Sequence, residues 1–122
     1  MAPRPLKPVV WVGPTLDELR ACPGAVQDEV GYALYLAQEG VQQHPAAKPL
    51  KGELGGLIEI VAGDRSGTYR AVYTAKLEHA IYVLHVFQKK STRGIATPKH
   101  VVNLLKARWR DAQQQDRAAS ED

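Results

Sequence analysis

Cysteine is almost missing from this sequence. Cys22 stands alone among 122 residues, so no internal disulfide can form, and a reducing, cytoplasmic compartment is expected. Histidine is sparse too. His44, His79, His85 and His100 form no H-x-H or H-x-x-x-H pair, and Cys22 has no partner nearby, which argues against a metal site. Long apolar runs are lacking: none approaches the roughly 18–20 residues that span a bilayer. The opening Met1-Ala2-Pro3-Arg4-Pro5 has no apolar core, so neither export nor a membrane is expected. A phosphate-cradling glycine loop is also absent. Gly52-Glu53-Leu54-Gly55-Gly56 has no strand before it and no helix after it, as such a loop requires. No Ser or Cys sits in a strained elbow suited to nucleophilic catalysis. No cofactor is implied.

What remains is ordinary in amount and uneven in placement. Apolar residues make up 44% and charged residues 24%, the composition of a globular chain with one modest core. The net charge of +3 hides an asymmetry. Residues 1–47 carry three Lys/Arg against five Asp/Glu, residues 48–110 carry twelve against four, and residues 111–122 carry one against four. A basic middle between acidic ends points to an anionic partner, or to a basic surface kept for solubility.

Residues 57–90 organise the chain. Leu57-Ile58-Glu59-Ile60-Val61, Thr68-Tyr69-Arg70-Ala71-Val72-Tyr73-Thr74 and Ile81-Tyr82-Val83-Leu84-His85-Val86-Phe87 are rich in β-branched and aromatic residues. They predict a three-strand meander, with turns at residues 62–67 and near residues 77–79. Residues 81–87 are apolar on both parities, as in a central strand covered on both faces. Ahead of the meander, Val9-Val10-Trp11-Val12 predicts a first strand. Thr15-Leu16-Asp17-Glu18 has the spacing of a capping box opening a short helix that Pro23 stops. Pro23-Gly24 begins a second helix to about Glu39, with Gly40 as its C-cap. Residues 48–52 read as extended, or as the start of a strand. Thr97-Pro98 supplies an N-cap and a first-turn proline for the last helix, whose apolar stripe is Val101, Leu104, Leu105, Trp109 and Ala112. The predicted order is β-α-α-β-β-β-α: an α+β domain over residues 1–112, with helices packed on a mostly antiparallel sheet. A flexible, acidic tail is predicted for residues 113–122.

Seven cations form the candidate binding set: Lys48, Lys51, Arg65, Arg70, Lys89, Lys90 and Arg93. Arg70 interrupts an apolar strand, which costs burial of charge unless the guanidinium is paired or its face is open. Two readings follow. Arg70 pairs with Glu59 on the neighbouring strand, or it faces a groove and holds a phosphate. His85 alternates with Val83 and Phe87 and lies behind Lys89. It is either a core histidine with its hydrogen bonds met or a site residue.

Lys48-Pro49-Leu50-Lys51-Gly52, Tyr69-Arg70-Ala71-Val72-Tyr73, Val83 through Ser91 and Gly94-Ile95-Ala96-Thr97-Pro98 together resemble the RelE/ParE toxin superfamily. The similarity is to its HigB-like, phage-related branch and covers residues 8 to 115. The resemblance implies a RelE-like fold and the toxin half of a type II toxin–antitoxin pair. It further implies a metal-independent endoribonuclease that cuts messenger RNA in the ribosome. Its partners would be a cognate antitoxin protein, messenger RNA and the ribosome. In such chemistry a 2′-hydroxyl attacks the adjacent phosphate, and the protein removes a proton, stabilises negative charge and protonates the leaving oxygen. By position, Lys48 and Lys51 match basic residues before the second strand, and Arg70 matches an arginine at the scissile phosphate. Lys89, Lys90 and Arg93 match the basic end of the last strand, and Arg65 is a further cation for RNA. The sequence departs from RelE in having no tyrosine in residues 88–122. That leaves His85 or Arg93 as the general acid. ParE relatives share the fold but poison DNA gyrase, so a non-enzymatic inhibitor is the alternative.

Overall fold

The computed structural model describes residues 5–40, 42–89 and 97–121. Lys90 and Arg93 therefore lie outside the described residues. The chain runs β1 (Val9–Trp11), α1 (Thr15–Arg20), α2 (Gly24–Glu39), β2 (Ala47–Pro49), a 3-10 turn (Gly52–Leu54), β3 (Ile58–Asp64), β4 (Gly67–Thr74), β5 (Ile81–Lys89) and α3 (Lys99–Ser120). The five strands form one sheet in the order β1-β5-β4-β3-β2. All neighbours are antiparallel except β1 and β5. The α+β class and the mostly antiparallel sheet are as predicted, and residues 47–49 resolve into a short edge strand.

Alternation along the strands gives the sheet two apolar faces. One carries Ile60, Ala62, Ala71, Tyr73, Ile81, Val83 and Val86, and packs on Val26, Val30, Ala33 and Leu34 of α2. The other carries Leu57, Val72, Tyr82 and Leu84, and packs on Val101, Leu105 and Ala112 of α3. Pro23 caps α2 at its start, and Gly40 ends it at φ 72°, where a side chain would be strained.

Three local expectations give way to tertiary contacts. Pro14, not Thr15, occupies the N-cap of α1, and no side chain caps the helix. Thr15 Oγ1 is buried without a partner among the described residues, and the Glu18 carboxylate instead accepts the Val86 amide at 3.0 Å. The capping box is thus unmade, because an amide on the outer side of β5 takes its glutamate. The α3 N-cap is Pro98 rather than Thr97. The β3–β4 turn is tighter than predicted: Asp64 pairs with Gly67, leaving only Arg65 and Ser66 between the strands.

The segment expected to be a tail is helical as far as Ser120. Its anchor is Asp116, which is 7% exposed. It accepts the amides of Glu78 and His79 at 2.9 and 2.8 Å and the Tyr82 hydroxyl at 3.0 Å. Burial raises the Asp116 pKa, but these donors and the nearby His79 hold it below the usual carboxylate value. Tyr82, buried and beside that carboxylate, is pushed up to about 12 and stays a donor. Asp116→Ala is expected to cost about 2–4 kcal/mol in urea unfolding, since it orphans two amides and a phenol. Because the folded-state pKa is depressed, this stabilisation is full above the unfolded carboxylate value and fades as pH falls through the folded one. Wild-type stability should therefore lose this contribution in acid, and the Asp116→Ala protein should have none to lose.

Candidate nucleic-acid interface

Strand register decides which cations meet. Lys48 stands opposite Glu59, Glu59 opposite Val72, and Val72 opposite His85. The next row in the same orientation is Val61, Arg70 and Phe87, and the one after it Gly63, Thr68 and Lys89. Opposed residues share a face, so Lys48, Arg70, His85 and Lys89 all lie on the α3 side of the sheet, spread from β2 to β5. There α3 buries Leu57, Val72, Tyr82 and Leu84, whereas Thr68 is exposed and Val61, Arg70, Phe87 and Lys89 are only half-buried. One half of this face is therefore a polar, cation-bearing floor.

A bulge completes that floor. Val72 pairs with His85 but Tyr73 pairs with Val83, leaving Leu84 without a partner residue. The extra residue shifts the alternation. Val83 points to the α2 side, and Leu84, His85, Phe87 and Lys89 point to the other. The expected alternation of His85 with Val83 is broken at this point, while that with Phe87 and Lys89 holds.

Arg70 is paired. Its Nη1 donates to both oxygens of Glu59 at 2.9 Å, and the two side chains are 19% and 10% exposed. Its Nε is buried and has no partner among the described residues. The ion pair anticipated with Glu59 therefore exists, and it leaves the guanidinium with unused hydrogen-bonding capacity on the same face. Lys48 is exposed beside Glu59, and among the described residues it makes no ion pair. Arg65 is exposed at the β3–β4 tip. Lys51 is also exposed, but it precedes the 3-10 turn, beyond the backbone bond of Leu50 to Leu57. At about 3.3 Å per residue, that is on the order of 13 Å along the sheet from the Arg70 row. Lys51 therefore lies outside the three rows that carry Lys48, Arg70 and Lys89.

His85 has neighbours the sequence did not advertise. Its ring stacks on Phe87, with centroids 4.6 Å apart and planes inclined by 17°. Its Nδ1 lies 3.2 Å from Glu18 Oε1 and 3.2 Å from Arg108 Nη1. Arg108 also donates to the Leu84 carbonyl at 2.8 Å and stands 3.6 Å from Glu18. These groups meet for a structural reason. β1 covers β5 only over residues 81–83, so Leu84 and Val86 lie beyond its end. Arg108 takes the Leu84 carbonyl and Glu18 the Val86 amide. Burial pushes the His85 imidazole below its ordinary pKa, Glu18 opposes the drop, and Arg108 and His100 add to it. The ring is thereby biased towards its neutral form.

A family model described as "Phage derived protein Gp49-like" matches residues 17–110. The chain belongs to the phage-derived Gp49-like family. The matched span of this Gp49-like chain includes Glu18, Lys48, Arg70, His85, Lys89 and Arg108. The phage-related resemblance read from the motifs is borne out by that match. A search of curated proteins gave no match. Among solved structures, the toxin–antitoxin complex RelBE2 from Mycobacterium tuberculosis contains a similar chain at 23% identity and a TM-score of 0.48. The similarity covers 69% of the Gp49-like chain and 99% of the other.

Proposed function

We propose that this protein is the toxin of a type II toxin–antitoxin pair and acts as an endoribonuclease on messenger RNA in the ribosome. The observation that carries the reading is the placement of Arg70 diagonally across from His85 on one half-open sheet face that also carries Lys48 and Lys89. Family membership and the RelE/HigB-like motifs support it alongside. Fixed cations at the positions where phosphate charge develops need no reorganisation during the reaction, which is how such sites lower barriers.

In this reading the 2′-hydroxyl of one nucleotide gives its proton to His85 Nε2. Its oxygen bonds to the adjacent phosphorus, the P–O5′ bond breaks, and O5′ leaves with a proton drawn from water. The products are a 2′,3′-cyclic phosphate and a free 5′-hydroxyl. No redox partner is needed. The guanidinium of Arg70, diagonally across from His85, stabilises the doubly charged phosphorane, and Lys48 and Lys89, farther along the same face, hold flanking phosphates. The exposed Arg65 and Thr68 extend the path for the RNA backbone beside Phe87, whose ring offers a stacking surface for a base.

The partner in the cell would be an antitoxin encoded beside this gene. Its co-expression should relieve growth arrest and yield a complex that co-purifies, and failure of both would remove the pairing. RNA binding should weaken steeply with salt, because phosphate contacts release counterions. Joint replacement of Lys48 and Lys89 by Ala is expected to lower the log–log salt slope for single-stranded RNA by about 1.4, two contacts at about 0.7 each. An unchanged slope, measured by fluorescence anisotropy between low and moderate salt, would put the RNA elsewhere.

A further inference from the structure

We propose that Glu18 and Arg108 are positioning residues that hold His85 as the proton acceptor on this face. The proposal rests on the ribonuclease reading and extends it to two residues that reach the site from α1 and α3. Glu18 Oε1 and Arg108 Nη1 stand at the same ring nitrogen, Nδ1, each at 3.2 Å. They cannot both hydrogen-bond to it in one tautomer, since a protonated Nδ1 donates to the carboxylate and a bare one accepts from the guanidinium. Arg108 has a better acceptor in the Leu84 carbonyl at 2.8 Å. Glu18 is itself fixed by the Val86 amide at 3.0 Å. The tautomer with Nδ1–H donating to Glu18 therefore uses every group well. It leaves the Nε2 lone pair, which has no partner among the described residues, as the base.

The stack on Phe87 fixes the plane of the ring, and the bulge fixes its face. Glu18, from the helix beside β5, then does for His85 what a carboxylate does for a catalytic imidazole elsewhere: it selects the tautomer and steadies the positive ring formed after proton transfer. Burial chiefly keeps the resting ring neutral, and the Arg108 charge adds to it, which keeps the base available. The charged or titratable groups around the ring are Glu18 from α1, Arg108 and His100 from α3, and Arg70 diagonally across on β4. A competing role is purely structural, in which Glu18 and Arg108 merely satisfy the backbone of β5. Glu18→Gln separates the two, because its amide oxygen still accepts the Val86 amide while the charge is gone.

The experiment follows the His85 ring protons by NMR titration in the wild type, Glu18→Gln and Arg108→Gln, and measures the pH profile of RNA cleavage on the same samples. Glu18 raises the His85 pKa and Arg108 lowers it. Glu18→Gln should therefore move the titration and the acidic limb of the rate profile to lower pH, and Arg108→Gln should move both to higher pH. The plateau rate of Glu18→Gln should fall about 10- to 100-fold, a part of the ~100- to 10,000-fold that acid–base catalysis supplies. Arg108→Lys, which retains the charge, should return the limb towards the wild-type position. Folded variants whose His85 titration stays at the wild-type pH would overturn the proposal. So would a titration that moves while the rate profile does not follow. Wild-type protein that cleaves no RNA would instead sink the ribonuclease reading, and this proposal with it, whatever the titration gives.

Discussion

Replacing Arg70 with Met should cost about 3 kcal/mol of stability, and adding Glu59→Leu should restore most of it. The Arg70–Glu59 pair is mostly withdrawn from water, at 19% and 10% side-chain exposure. Removing one member strands the other's charge, at roughly 3–5 kcal/mol for a fully buried pair. The residual exposure of Arg70 places the cost at the low end of that range. Replacing both members with apolar residues of similar size removes the stranded charge, and such exchanges are often neutral. Activity should not follow stability. Only Nη1 of Arg70 bonds Glu59, so the donors of the guanidinium are not exhausted by the pair. Loss of a preorganised donor of this kind typically lowers a rate by roughly 100- to 1,000-fold. The double variant should therefore fold and still fail to cleave. A double variant with the wild-type rate would reduce Arg70 to a structural ion-pair partner.

His85→Asn should lower cleavage by about 100- to 10,000-fold while changing stability little. The amide of Asn can still offer a polar atom near the position of Nδ1, where Glu18 and Arg108 converge, so the outer side of β5 remains satisfied. What disappears is Nε2, and with it the proton acceptor. The opposite outcome, a large loss of stability with cleavage retained, belongs to a histidine that serves only the core. Thermal unfolding and single-turnover cleavage on the same preparation separate the two.

The architecture was legible because it rests on periodicity and punctuation. The three strands of the meander, the stop at Pro23, the left-handed cap at Gly40 and the stripe of α3 are local patterns, and the packing reinforces them. The pairing of Arg70 with Glu59 was also within reach, since two opposite charges on adjacent strands of one sheet rarely ignore each other. What escaped was set by single non-local contacts. Glu18 has capping-box spacing from Thr15, and nothing in residues 15–18 reveals that a β5 amide will compete for it. The polar run after Gln113 has the composition of a tail, yet one carboxylate meeting the turn at Glu78 and His79 anchors another two turns of helix. The bulge at Leu84 has no compositional mark, so the company of His85 could not be read from alternation. Arg108 is one of four cations in residues 99–110, with Lys99, Lys106 and Arg110, and only the short reach of β1 along β5 explains why it turns inward. Lys51, close to Lys48 in sequence, lies beyond the end of β2 and just ahead of the 3-10 turn.

The central claim is that this sheet face cuts messenger RNA through a 2′-hydroxyl attack assisted by His85. The most direct measurement is end analysis of messenger RNA from programmed ribosomes incubated with wild-type protein or with His85→Asn. Primer extension locates each cut, and labelling by polynucleotide kinase without prior phosphatase treatment reports a free 5′-hydroxyl. The account predicts discrete cuts with 5′-hydroxyl ends and cyclic phosphates upstream for the wild type, and loss of these cuts in the variant. Intact messenger RNA with wild-type protein that still arrests growth, or 5′-phosphate ends at the cuts, would contradict it.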